Sequence, residues 1–183
     1  MSSFKESINY LQEKIKDILG KVSEEDITKL CKLLLKAKRI FVYGAGRSGL
    51  VAKAFAIRLV HLGFQAYVIG ETITPPVRVG DLVLIISGSG ETMPSVITAD
   101  IARDMKVKVI ALVGEERSSL ARKADLAIVL SAHCKDEHKS RLAPLGTLFE
   151  ASAWILLDGV VAELMDLKGE SEEKMKKRHA TLQ

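Results

Sequence analysis

The chain has 183 residues, which is the length of one domain, and 48% of them are hydrophobic while only 5% are aromatic. A sizeable aliphatic core can therefore be buried, and no apolar run approaches the length of a transmembrane helix. The formal net charge of +4 suits anionic metabolites as ligands. The composition thus excludes a membrane-spanning protein and favours a globular one that binds small anions.

Two local features bear on partners and location. The basic cluster from Lys174 to Arg178 lacks the interleaved aromatic residues of a nucleic-acid surface. We interpret it as a solvated helix face and expect no nucleic-acid partner. Cys31 and Cys134 form no disulfide framework, and residues 1–6 are polar with no apolar signal segment. We therefore expect a cytoplasmic protein with no membrane partner.

Two amphipathic helices are predicted first. Hydrophobic residues recur at helical spacing over residues 4–18, and Gly20 closes this segment. Ser23 opens the second helix, because acidic residues follow it at 24–26 in a pattern that is typical of a capped start. We expect both helices to pack on a partner subunit, since their apolar stripes exceed what one small sheet needs.

From residue 39 the pattern alternates between strand and helix. Apolar, β-branched runs predict five strands, at 39–45, 66–69, 81–87, 108–113 and 126–130. Helical patterns follow at 48–62, 93–105, 118–123 and from Thr147 to about 166. The connection at 70–80 is predicted to be a loop with two prolines.

This alternation predicts an α/β fold, a three-layer doubly wound sandwich with a five-stranded parallel sheet. Ligands of such sheets bind at the carboxyl ends of the strands, near the switch point of the strand order. We expect one domain over residues 1–183, with N-terminal helices at 1–38, the α/β core at 39–168 and a basic, mobile tail at 169–183.

The most informative segment is the loop at residues 87–92 (SGSGET), which follows an apolar strand. Its glycines let the backbone approach a ligand closely, and the free N–H groups of the following helix favour an anion. Ser87, Ser89 and Thr92 offer three hydroxyl donors, whereas an ordinary helix cap needs one. The loop therefore predicts a site for a phosphate on a small molecule, and we expect Glu91 to point away from the phosphate, toward hydroxyls of the ligand or Arg47.

A second glycine-rich loop, residues 44–49 (GAGRSG), follows the first predicted strand. It fits the dinucleotide-binding fingerprint, and Glu71 stands near where an acidic residue would hold a ribose. That interpretation leaves the hydroxyls of the 87–92 loop without a role and leaves too little chain for a substrate domain. If the two loops lie at neighbouring strand ends, Arg47 and Ser48 face the second loop and both loops bind one phosphate.

The paired loops resemble those of the sugar isomerase (SIS) domain family. Four further segments resemble its 6-phospho-3-hexuloisomerases, namely 58–63 (RLVHLG), 68–75 (VIGETITP), 143–150 (APLGTLFE) and 178–180 (RHA). The resemblance spans essentially the whole chain. It implies interconversion of D-arabino-3-hexulose 6-phosphate and fructose 6-phosphate through a cis-enediol, with no redox cofactor and no metal requirement. It also implies a homo-oligomer, which we expect to be a tetramer.

The reaction implied by the resemblance needs a base beside a carbonyl, a role that suits a carboxylate. Glu150, in the first turns of the final helix, is the candidate; the alternative is a helix-terminal glutamate stabilised by the macrodipole. His179 in the tail is a candidate for ring opening or proton relay, because related sugar isomerases bring a histidine from a neighbouring chain. The resemblance makes His61, at the end of an apolar helix, a second candidate, although its place favours a structural or interface role. The predicted substrate contacts are Gly46, Arg47, Ser48, Ser87, Gly88, Ser89 and Thr92.

Other interpretations stay open on the sequence alone. A non-catalytic phosphosugar-sensing SIS module would share both loops, as would an arabinose 5-phosphate or heptose 7-phosphate isomerase. His133, Cys134 and His138 form a tight group, but their spacing matches no standard metal site, so we expect no metal.

Overall fold

The computed structural model describes residues 2–132 and 137–182, and within them five parallel strands form one sheet in the order β2-β1-β3-β4-β5. The strands are β1 (Ile40–Gly44), β2 (Ala66–Val68), β3 (Leu82–Ser87), β4 (Lys108–Val113) and β5 (Leu126–Val129). The predicted α/β fold with a five-stranded parallel sheet is confirmed, and each strand lies within its predicted run.

The helices follow the predicted pattern with two additions. They are α1 (Ser3–Leu19), α2 (Glu24–Lys36), α3 (Gly46–His61), α4 (Met93–Asp104), α5 (Ser119–Lys123), α6 (Lys139–Leu142), α7 (Thr147–Lys168) and α8 (Glu172–Lys177). Helices α6 and α8 are additions to the predicted core helices. Helix α6 has only four residues, and α8 contains most of the basic cluster that we interpret as a solvated helix face. Helix α3 begins two residues before the predicted start, since the glycine-rich loop forms its first turn.

Both faces of the sheet are buried, which makes the fold a three-layer sandwich. Ile40, Val42 and Leu84 belong to an apolar cluster shared with α1, α2, α3 and α7. Phe41 and Ile85, which alternate with them along the strands, belong to a second cluster shared with α4 and α5. This two-sided burial explains why the strand sequences are nearly continuous apolar runs.

The switch point of the strand order lies between β1 and β3. The chain leaves β1 through α3 toward β2, and it leaves β3 through α4 toward β4 on the other side. In the register of the two parallel strands, Gly44 is opposite Ile86. The carboxyl ends of β1 and β3 therefore lie side by side, and the segments that follow them open onto one crevice.

The N-terminal helices pack on the core of their own chain, and their expected contact with a partner subunit stays a prediction. Leu30 and Leu34 of α2 are fully buried in the cluster that includes α7. Helix α1 is fastened to the segment before α7, because Ser7 Oγ donates to the Leu142 carbonyl at 2.6 Å and Arg141 pairs with Glu6 at 2.7 Å. Among the described residues, no helix combines the length and the apolar character needed to cross a membrane.

The start of α3 depends on close packing at Gly49, and this gives a stability prediction. A Cβ at Gly49 would lie 2.5 Å from the Gly44 carbonyl oxygen. We expect Gly49→Ala to lower the free energy of unfolding by about 1–3 kcal/mol, as overpacking does. The matched control is Gly159→Ala in α7, where an added Cβ meets nothing within 4 Å; it should gain up to about 1 kcal/mol from helix propensity. Denaturant unfolding of both variants checks this, and an equal change in the two would contradict it.

Candidate functional site

The loop at 44–49 joins β1 to α3 and combines tight packing with one open position. A Cβ at Gly44 would come within 2.7 Å of the Ser48 backbone, so the loop folds closely onto the first turn of α3. Gly46 has a φ of 57°, and a Cβ there would meet nothing within 4 Å. A ligand can therefore approach this backbone closely, next to the partly exposed start of α3.

The hydroxyls of the 87–92 loop gather at the start of α4. Ser87 Oγ donates to Thr92 Oγ1 at 3.2 Å, and the Ser89 and Thr92 hydroxyl oxygens are 3.4 Å apart. The Gly90 N–H donates to Ser87 Oγ at 3.2 Å. Three hydroxyls and a helix N-terminus thus converge on one place, an arrangement that can bind a phosphate by hydrogen-bond donors and a helix dipole with no cationic side chain in this loop.

Hydrogen bonds to neighbouring segments hold this second loop in place. The Gly114 N–H donates to the Gly88 carbonyl at 2.9 Å. The Glu91 carboxylate accepts from the Ser119 N–H at 2.7 Å, and this bond is the main cause of a lowered pKa of Glu91. Glu91 therefore points away from the loop as expected, but toward Ser119 at the start of α5 and not toward Arg47.

Helix α7 brings Glu150 to the same edge of the sheet. Arg47 Nε donates to Glu150 Oε2, and the two side chains are 68% and 13% exposed. The carboxylate lies over Gly146, where a Cβ would be 3.2 Å from Glu150 Oε1. Phe149, one residue earlier, packs on the second loop, since a Cβ at Gly88 would lie 3.1 Å from its ring. The start of α7 therefore contacts both loops.

A cavity of about 450 Å³ lies beside this arrangement and includes a residue that sequence reasoning missed. Lys139 lines it together with Ser89 and Phe149, and Lys139 Nζ donates to the Leu145 carbonyl at 3.2 Å. Leu145 has a φ of 55°, a strained value for a non-glycine residue. Nothing in the sequence signals this contact, because α6 is short and lies far from the loops in chain order.

His61 and His179 lie together, but not beside Glu150. Their rings stack with centroids 4.9 Å apart. Arg47 and His61 are near opposite ends of the 16-residue α3, so at a rise of about 1.5 Å per residue roughly 20 Å separates them. Burial, followed by the nearby His179 and Arg58, lowers the pKa of His61. Its Nε2 atom is buried and has no hydrogen-bond partner within the described part of the chain.

The predicted mobile tail folds back onto its own chain. Met175 of α8 is buried in the main apolar cluster. Arg178 donates to the His61 carbonyl at 2.9 Å and forms an ion pair with Glu170, also at 2.9 Å. These contacts fix the position of His179 beside the end of α3. The tail thus has a defined place in the fold as far as His179.

Glu71 and the possible metal group belong to the two other kinds of site that the sequence suggests. Glu71, the residue of the dinucleotide interpretation, pairs with Lys53 of α3 at 2.6 Å, so its carboxylate already has a cationic partner. His133 and Cys134, two members of the possible metal group, lie outside the described residues.

Known proteins share the fold and much of the sequence of this chain. The SIS domain model matches residues 33–148. The 3-hexulose-6-phosphate isomerase of Bacillus subtilis is 42% identical over 165 residues, 88% of this chain and 89% of that protein. The 3-hexulose-6-phosphate isomerase of Methanocaldococcus jannaschii is 41% identical over 156 residues, 85% and 83% of the two chains. A Methanococcus jannaschii crystal structure, from which the function of 3-hexulose-6-phosphate isomerase was inferred, superposes with a TM-score of 0.87 at 38% identity, over 97% of this chain and 99% of the other.

The convergence of hydroxyls predicts the effect of removing them. We expect Ser87→Ala and Ser89→Ala each to weaken fructose 6-phosphate binding by about 1–3 kcal/mol, because each loses a hydrogen bond to a charged group. Calorimetric titration measures this. Thr98→Ala is the control, since the Thr98 hydroxyl donates to the Pro94 carbonyl within α4. Unchanged affinity in both serine variants would contradict the shared phosphate site.

Proposed function

The chain belongs to the SIS domain family, and on that premise we propose that it is an isomerase that interconverts D-arabino-3-hexulose 6-phosphate and fructose 6-phosphate. One observation carries the proposal most directly. A largely buried carboxylate, Glu150, stands at the edge of the sheet where the hydroxyl-rich phosphate loop ends. The relatives named 3-hexulose-6-phosphate isomerase support the choice of substrate.

The phosphate is the anchor of the substrate. Ser87, Ser89 and Thr92 donate to its oxygens, and the N–H groups at the starts of α3 and α4 face its negative charge. Ser48 and Gly46 approach it from the first loop. Because the phosphate is held at a fixed point, the carbon chain of the sugar extends from it toward Glu150, within a defined distance of the carboxylate.

The reaction is a proton transfer between adjacent carbons. Glu150 removes the proton from C2 of the 3-ketose, and the electrons of that C–H bond form the C2=C3 double bond of a cis-enediol while the C3 carbonyl oxygen takes a proton. Glu150 then returns a proton to C3, the O2 proton is lost, and C2 becomes the carbonyl of fructose 6-phosphate. One carboxylate serves both steps because both carbons present the same face.

The two histidines complete a neighbouring site in this proposal. A groove between α3 and α7 runs from Arg47 and Glu150 at one end to His61 and His179 at the other. A two-fold axis across the middle of such a groove exchanges its ends, so each chain's histidines approach the partner's carboxylate. The groove carries exposed apolar side chains that this contact would cover, namely Leu50, Ile57, Trp154 and Ile155.

A second apolar surface supports assembly beyond a dimer. Helix α4 and the residue that follows it, on the other face of the sheet, expose an apolar side chain at every fourth position, at Met93, Ile97, Ile101 and Met105. Two separate apolar surfaces on opposite layers can form two different isologous contacts, which is the arrangement of a tetramer with dihedral symmetry. We accordingly propose a homotetramer.

Replacing the proposed base tests the enzymatic function. Glu150→Gln keeps the side-chain size and removes the basicity, so turnover should fall by about a hundredfold or more. Deuterium from solvent should enter C3 of fructose 6-phosphate with the wild-type protein and be nearly lost with the variant. Glu163→Gln, the same change on an exposed position of α7, is the control. A wild-type protein that binds fructose 6-phosphate without exchanging any proton would point to a phosphosugar sensor.

Mixing two defective chains tests the histidines. One chain carries Glu150→Gln, and the other carries His61→Asn together with His179→Asn. If the sites are shared, the mixed protein should recover about one quarter of wild-type activity, since half of the dimers are mixed and each holds one intact site. The measurement is turnover after co-refolding or co-expression. No recovery, or a stable monomer in sedimentation at micromolar concentration, would contradict the shared site.

A further inference from the structure

We propose that Arg47 couples phosphate binding to the release of the base. In the free protein its guanidinium holds the Glu150 carboxylate, and the phosphate of an arriving substrate draws Arg47 away, which frees Glu150 for proton transfer. Arg47 is in this sense a positioning residue that makes the site active toward phosphorylated ketoses. The inference rests on the proposed function, because it takes Glu150 as the base.

The ion pair joins a movable partner to a fixed one. Glu150 is held in the first turn of α7 and its side chain is 13% exposed, whereas the Arg47 side chain is 68% exposed. Within the described residues, Glu150 is the side chain that accepts a hydrogen bond from Arg47. The arginine can therefore turn outward at little cost in packing, while the carboxylate keeps its place over Gly146.

The pair as it stands opposes catalysis. Glu150 Oε2 accepts a charge-assisted hydrogen bond from the Arg47 guanidinium, and breaking such a bond costs free energy. The lone pair of Glu150 Oε2 that receives the Arg47 bond is also unavailable to a carbon-bound proton. The other carboxylate oxygen, Oε1, lies over Gly146. Transfer of a sugar proton to Oε2 therefore requires that the Arg47 bond be broken or moved.

A phosphate at the two loops is the natural competitor for Arg47. The segments 44–49 and 87–92 contain one cationic residue between them, and it is Arg47. A phosphate dianion carries more charge than a carboxylate and offers the paired oxygens that a planar guanidinium binds in a bidentate way. The other nearby carboxylate, Glu91, is already bound to Ser119. Arg47 thus stands between two anions, one permanent and one that arrives with the substrate.

Coupling of this kind is reciprocal. If phosphate weakens the hold of Arg47 on Glu150, then neutralising Glu150 must strengthen the hold of the protein on phosphate. An unphosphorylated sugar, by contrast, meets a base that is still paired. The structure therefore assigns to one ion pair the discrimination between phosphorylated and unphosphorylated ketoses, through the reactivity of the site as well as through affinity.

A binding cycle with inorganic phosphate tests the coupling without any turnover. Calorimetry is applied to the wild type, Glu150→Gln, Arg47→Gln and the double variant. We expect Glu150→Gln to bind phosphate about fivefold or more tightly, and Arg47→Gln to bind it more weakly. In the Arg47→Gln background the gain from Glu150→Gln should nearly vanish. An equal gain in both backgrounds would overturn the proposal, because it would reflect simple charge repulsion; so would no gain at all.

The matched control for this cycle is another arginine–glutamate pair. Arg141→Gln removes the same charge and breaks the 2.7 Å pair with Glu6, on the side of the molecule where α6 meets α1. Its phosphate affinity should equal that of the wild type. A loss comparable to that of Arg47→Gln would mean that net charge alone governs phosphate binding, and it would overturn the assigned role of Arg47.

A second measurement reports the reactivity of Glu150 as a base. Deuterium exchange at C3 of D-fructose, the product sugar without its phosphate, is recorded with and without phosphite dianion. Phosphite should accelerate exchange by the wild type, whereas Arg47→Gln should exchange faster than the wild type without phosphite and not respond to it. Slower unassisted exchange by Arg47→Gln would show that Arg47 orients Glu150 and does not restrain it. Full turnover by Glu150→Gln would instead refute the proposed function, whatever the binding cycle gives.

Discussion

The pairing of β1 with β3 is the constraint on which the site depends. The chain diverges to opposite sides from these two strands, so neither α3 nor α4 crosses the crevice between their carboxyl ends. The register, with Gly44 opposite Ile86, sets the two glycine-rich loops level with each other. Burial of both faces fixes this register, because a slip of one residue would turn every side chain toward the wrong layer.

The site uses little permanent charge. Helices α3, α4 and α7 all begin at the same edge of the sheet, and their free N–H groups and dipoles supply the positive potential. The hydroxyl groups of the 87–92 loop add hydrogen-bond donors with defined directions. The two loops and the start of α7 contain three charged side chains, Arg47, Glu91 and Glu150. Glu91 is bound to α5, so Arg47 and Glu150 pair with each other. That economy leaves Arg47 able to respond to an incoming anion.

The amino-acid sequence by itself determined the layers of the fold and the kind of ligand. Strands buried on both faces must be apolar runs, so all five were visible, and the longer helices showed their period and caps. The residue types of the 44–49 and 87–92 loops indicated a phosphate, and their resemblance to the SIS domain family indicated a sugar. These features are local, since each is set by residues within one turn or one strand.

Only the tertiary structure decided which side chains meet. Arg47 and Glu150 are joined across 103 positions of the chain, and Glu91 binds Ser119 where the sequence suggested Arg47. The tail was expected to be mobile, yet it fastens His179 to the far end of α3, away from the carboxylate. These pairings follow from strand order, helix length and the packing of distant segments. Hydrophobic period and residue type carry no information on them, because both describe a segment's own burial and not the identity of its neighbour.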